Sequence, residues 1–112
     1  MKQFAIIGLG SFGLRMMEEL LSITTELIII DKDRETIEKY KDQAKAAYIA
    51  DAINEVALSK IIPADIDAVV VDMGGKIELS LMVTNYLKKM GVRDIIVKAQ
   101  TDEHGEVLSM LG

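Results

Sequence analysis

The sequence predicts an α/β fold: a doubly wound parallel sheet of five strands in the order 3-2-1-4-5, with helices on both faces. Three observations predict it. Short apolar runs alternate with stretches of helical periodicity along all 112 residues. Those runs are almost unbroken in apolar character, as strands covered on both faces require. The first of them, Phe4-Ala5-Ile6-Ile7, passes directly into Gly8, Gly10 and Gly13 in the spacing G-x-G-x-x-G, with a helical pattern behind it. Short connections and right-handed crossovers then give one parallel sheet.

Strand one is predicted over Gln3–Ile7 and helix one over Ser11–Leu21, where Leu14, Met17, Leu20 and Leu21 recur at helical spacing. Strand two is predicted over Glu26–Ile30, just before Asp31. A second helix is expected over Asp33–Lys41, with Asp33 as its N-cap and Ile37 and Tyr40 on its apolar side. Ala46–Ala50 reads as a short third strand running into Asp51, and a helix over Ile53–Ile61 stops before Pro63. Strand four is predicted over Ala68–Val71 and leads into Asp72-Met73-Gly74-Gly75. The fourth helix is expected over Lys76–Lys89, with Leu79, Leu81, Met82, Val83, Tyr86 and Leu87 apolar and Gly91 closing it. Strand five is predicted over Asp94–Lys98, and a last helix over Asp102–Leu111.

A chain of this length makes one domain, residues 1–112, with a single core. Aromatic residues are only 4%, so that core is aliphatic and no stacking platform for bases is offered. The net charge of −5 shows no basic stripe, which argues against nucleic acid as a partner. There is no cysteine, which removes disulfides, thiolate metal sites and thiol nucleophiles. No apolar run reaches the ~18 residues that span a bilayer, and the N-terminus has no signal-peptide architecture, so a cytoplasmic chain without membrane insertion is expected.

The glycine turn carries the chemistry. Gly8 permits the tight exit from the strand, Gly10 lets a pyrophosphate approach bare backbone, and Gly13 lets the helix pack close to the strand. Free N–H groups of Ser11 and Phe12 and the positive end of that helix would face the phosphates. Asp31 stands 21 positions after Gly10 at the end of strand two. A carboxylate there can accept from both ribose hydroxyls and repel a 2′-phosphate, favouring NAD over NADP; the plainer alternative is a turn or capping acid. Lys32 beside it either softens that discrimination or is solvated surface.

The carboxyl ends of the strands should converge on one crevice where the strand order reverses. Asp51 and Ala52, after strand three, would border an adenine, while Asp51 is also a candidate N-cap. Met73 and Gly74, after strand four, would line the crevice, though Met73 also suits the core. Lys98 ends strand five and either approaches a terminal phosphate or pairs with Asp72 or Glu103. Arg15 is a phosphate contact or a solvated residue. His104, the one histidine, has no partners at ligand spacing, and no nucleophile motif, P-loop or metal cluster stands elsewhere.

Taken together these stretches resemble the N-terminal domain of RCK/KTN proteins, the regulatory subunits of Trk and Ktr potassium transporters and gating domains of potassium channels. The carriers are Phe4 through Gly13, then Ile30-Asp31-Lys32-Asp33, Ala50-Asp51-Ala52, and Asp67 to Val71 leading into Met73-Gly74. Ile95-Ile96-Val97-Lys98-Ala99-Gln100 and Val107-Leu108-Ser109-Met110-Leu111-Gly112 complete the set. The resemblance implies a sensor and not an enzyme, one that binds NAD(H), ATP, ADP or AMP. It also implies a homo-oligomer, as a dimer or eight-domain ring, and a membrane potassium transporter or channel as partner. By that resemblance Gly8, Gly10 and Gly13 would hold phosphates, Asp31 the ribose, and Asp51 and Ala52 the adenine edge, with Met73, Gly74 and Lys98 lining the crevice. Ser11 stands where ATP-responsive members often carry an arginine that grips phosphates, a departure from the pattern of those members. Members usually continue into a sixth strand and a C-terminal ligand domain; the chain therefore reads as a fragment, or as one whose open sheet edge pairs with another copy. The rival reading is a fragment of an NAD-dependent oxidoreductase.

Overall fold

In the computed structural model, which describes residues 2–24 and 26–99, five parallel strands form one sheet in the order β3-β2-β1-β4-β5. The elements run β1 (Gln3–Ile7), α1 (Ser11–Leu21), β2 (Glu26–Asp31), α2 (Arg34–Tyr40), β3 (Ala46–Ile49), α3 (Glu55–Ile61), β4 (Ala68–Val71), α4 (Ile77–Lys89) and β5 (Ile95–Val97), with a single 3-10 turn over Lys41–Gln43 after α2. The order and direction predicted from sequence are those observed. The helix expected over Asp102–Leu111 lies outside the described residues.

The unbroken apolar runs sort by the period of two that any strand imposes. Ala5, Ile7, Ile28, Ile30, Val69 and Val71 face one side, where Leu58 of α3 and Val83 and Leu87 of α4 cover them. Phe4, Ile6, Leu27, Ile29 and Val70 face the other, under Met17 and Leu20 of α1 and Ile37 of α2. Both faces are therefore closed, which is why polar residues within β1 and β2 are confined to their ends and β4 has none. Ile6, Leu27, Ile29, Ile30 and Val71 are fully buried. Truncating one of the large ones to alanine costs about 2–5 kcal/mol.

The element ends shift by a residue or two where capping competes with propensity. Helix α3 starts at Glu55 and not at Ile53, because Asn54 is its N-cap, accepting from the Ala57 N–H at 3.1 Å. Asp51, the sequence candidate, instead makes a turn with the Ile53 N–H at 3.2 Å. Helix α2 is capped by Asp33 as expected. Strand β2 runs one residue further than expected, through Asp31, whose backbone pairs with Ile49 of β3. Strands β3 and β5 are shorter than expected, and β4 and β1 match.

The hydrogen-bond ladder continues one step past the strand tips. Gly8 N–H donates to Ile30 O, Asp72 N–H to Ile7 O, Ala50 N–H to Asp31 O and Lys98 N–H to Val71 O, at 2.8 to 3.0 Å. Those bonds bring the carboxyl ends of all five strands to one rim, and the functional candidates sit on it.

Candidate functional site

At the rim, the chain leaves β1 through Gly8 at φ +91°, a conformation that side chains resist. A Cβ there would stand 1.9 Å from the Asp72 carbonyl oxygen, so the first glycine of the turn lies directly on the β4 backbone. A Cβ on Gly13 would stand 2.0 Å from the Gly8 carbonyl oxygen. The third glycine thus sets how closely α1 approaches the turn, as the spacing predicts.

Two acids grip this turn from opposite sides. Asp31, at the tip of β2, accepts the Leu9 N–H on Oδ2 at 2.8 Å and the Asp33 N–H on Oδ1 at 2.9 Å. Asp72, just past β4, accepts the Gly13 N–H on Oδ2 at 3.0 Å and the Gly74 N–H on Oδ1 at 3.1 Å. Each oxygen keeps a further lone pair. Their settings differ: the Asp72 side chain is only 2% exposed, and Lys98 Nζ stands 3.9 Å from its Oδ1, at the outer limit of an ion pair. Asp31 is half-buried and lines an open crevice.

That crevice measures about 260 Å³ and is walled by Gly8, Asp31, Lys32, Asp51, Ala52, Ile53, Asp72, Met73, Lys76 and Leu79, with Ile7, Ile30 and Ala50 at its base. Three acidic residues and two lysines therefore share the lining with apolar residues. Its volume lies just below the ~300 Å³ at which ligand pockets usually begin. Of the sequence candidates, Gly8, Asp31, Lys32, Asp51, Ala52 and Met73 meet here. Gly10, Ser11, Phe12, Gly13, Gly74 and Lys98 are not in the wall; Gly10, Gly13, Gly74 and Lys98 instead surround the Asp72 carboxylate. Arg15 is exposed on α1.

Gly10 departs from its expected surroundings. A Cβ on it would stand 2.8 Å from Asp72 Oδ2, so the bare backbone lies against the chain's own carboxylate. Helix α1 has no cap from its N-cap residue, Gly10; Asp72 supplies one from across the sheet. Such an anion at a helix N-terminus is favourable by about 0.3–1 kcal/mol, and more where it is partly buried. No acceptor among the described residues takes the N–H of Ser11 or Phe12.

Sequence reasoning missed Lys76 and Leu79. Lys76 is the residue before α4, brought to the crevice by the Gly74-Gly75 turn, with Gly74 at φ +66°. The signal was present: two glycines directly behind a switch-point strand turn the next residue back over the strand tips. Among the described residues no group of three or more His, Asp or Glu could hold a metal ion, and no helix is long and apolar enough to cross a membrane.

Residues 4–112 match the TrkA-N domain family. The chain is 38% identical to the Ktr system potassium uptake protein C of Bacillus subtilis over 99% of its own length and 50% of that protein's. It is 36% identical to the Ktr system potassium uptake protein A of the same organism, again over 99% and 50%. The chain thus spans about half the length of these relatives. Among solved structures, its fold is similar to the NAD(P)-binding domain of an exopolyphosphatase-related protein from Archaeoglobus fulgidus, with TM-score 0.83 and 24% identity, covering 100% of this chain and 84% of that one. It is also similar to the GsuK channel bound to NAD, with TM-score 0.82 and 13% identity, covering 99% of this chain and 20% of that one. With the family match running from the first strand through residue 112, and a fold similar to these solved structures, the chain belongs to the TrkA-N domain family.

Proposed function

We propose that this domain binds an adenine nucleotide and, as the cytoplasmic regulatory part of a potassium transport system, passes the binding event to a membrane pore. The observation that carries the reading is Asp31. Its carboxylate is fixed by the Leu9 N–H of the glycine turn at 2.8 Å and stands in the wall of the crevice, where a ribose would meet it with no rearrangement. Asp51 and Ala52 border the adenine beyond it, Gly8 and the N–H groups of Ser11 and Phe12 receive phosphate, and Met73 packs on the nucleoside. Gly10, Gly13 and Gly74 give the backbone room, Lys32 stands at the mouth, and Lys98 acts through Asp72.

Potassium transport enters through the similarity to the two Ktr relatives, and NAD through the likeness in fold to an NAD(P)-binding domain and to a channel bound to NAD. The site needs no general base to do this work. Binding biases an equilibrium between arrangements of paired domains in a dimer or ring, by the difference in affinity for the two states. Calorimetric titration with NAD, NADH, AMP, ADP and ATP tests the reading: saturable binding of at least one is expected, with no turnover. Failure of all five to bind, or conversion of any of them, would contradict it.

A further inference from the structure

The buried carboxylate at the N-terminus of α1 has a consequence for which nucleotide the crevice accepts. We infer that Asp72 limits the phosphate charge the site tolerates, selecting AMP or a dinucleotide over ADP and ATP. This deepens the nucleotide reading above and rests on it.

The first turn of α1 offers the N–H groups of Ser11, Phe12 and Gly13 to an anion. Asp72 already occupies the third, at 3.0 Å, and its Oδ2 lies against Gly10. A phosphate that reaches the remaining two shares one helix end with a fixed negative charge. That charge cannot swing away cheaply. Its other oxygen is held by the Gly74 N–H, the side chain is 2% exposed, and leaving would strand two N–H groups.

The neutralising charge is thin. Lys98 stands 3.9 Å from Asp72, and Lys76 and Lys32 line the crevice beside Asp31 and Asp51. At neutral pH the phosphates of a dinucleotide and of AMP carry about two charges in all, those of ADP about three and those of ATP about four. Repulsion from Asp72 grows with each charge, and in a partly desolvated site it decides between ligands that share the same adenosine. Phosphate count is thus read by a carboxylate, with Lys98 setting the gain.

Titration calorimetry in metal-free buffer tests this on the protein, Asp72→Asn and Lys98→Gln, each with adenosine, AMP, NAD, ADP and ATP. Asparagine keeps an acceptor for Gly13, gives up the one for Gly74, and removes the charge. The native protein is expected to bind AMP and NAD about tenfold or more tighter than ATP. In Asp72→Asn that preference shrinks by about tenfold, and in Lys98→Gln it widens. If Asp72→Asn does not fold, the Lys98→Gln shift carries the test alone. ATP binding tightest to the native protein, or a preference unmoved in the variants while AMP still binds, would overturn the inference. Loss of binding by adenosine and every phosphate ester in the native protein would instead remove the nucleotide reading, and the selectivity with it.

Discussion

Asp31 and Asp72 are the same residue type at equivalent places, each just at the end of a parallel strand beside β1. Each accepts one N–H from the glycine turn and a second from two residues further along its own chain. Both line the crevice, but Asp31 is half open to it, whereas the Asp72 side chain is 2% exposed at a helix end with a lysine 3.9 Å away. The difference teaches that an acid at a strand tip is not by itself a ligand group. Burial and the direction of approach decide whether it serves the fold or the solvent side. Asp72 caps a helix that lacks its own cap, whereas Asp31 commits its backbone-facing lone pairs to the turn and presents the rest outward.

The largest effect that would sharpen this contrast is expected at Gly13, whose N–H donates to Asp72 and whose bare α-carbon lies against Gly8. Gly13→Ala places a Cβ 2.0 Å from the Gly8 carbonyl, a backbone atom that cannot yield alone. A loss of about 3 kcal/mol or more in denaturant unfolding is expected, with both grips disturbed. Asp72→Ala comes next, at about 2–3 kcal/mol, because the N–H groups of Gly13 and Gly74 lose a buried acceptor. Asp31→Ala should cost stability only about 1 kcal/mol, yet weaken every ribose-bearing ligand by about 1–3 kcal/mol in calorimetry. Equal stability losses at the two acids would break the comparison. A third acid sets the baseline. Asp67 is exposed at the opposite end of the sheet and accepts the Gln3 N–H at 2.7 Å; Asp67→Ala should cost about 0.5 kcal/mol.

The fold was legible because its signals are local and redundant. The runs Ala68 to Val71 and Leu27 to Ile30 are too short for buried helices and too apolar for exposed strands. The order of strands then follows from handedness and short connections. The crevice lining was legible as far as backbone position fixes it, so Gly8, Asp31, Lys32, Asp51, Ala52 and Met73 could be placed there in advance. What escaped depends on side-chain direction across the sheet. That Asp72 turns inward to Gly13, 59 residues earlier, is a tertiary fact. It sets Asp72 Oδ2 against the bare backbone of Gly10, where a pyrophosphate was expected to approach. Asn54 won the cap of α3 from Asp51 by a margin of turn geometry that no pattern of residue types records.

The most direct test is an amide-resolved titration by nuclear magnetic resonance, adding AMP to the isotopically labelled chain. A nucleoside on the glycine turn with its ribose at Asp31 should move the signals of Leu9, Gly10, Ser11, Phe12, Lys32 and Ala52, and leave those of Gly91 and Asp67 in place. The same titration in Asp31→Ala should need a markedly higher AMP concentration. Perturbation centred away from the strand tips, or an unaltered response in Asp31→Ala, would contradict the account.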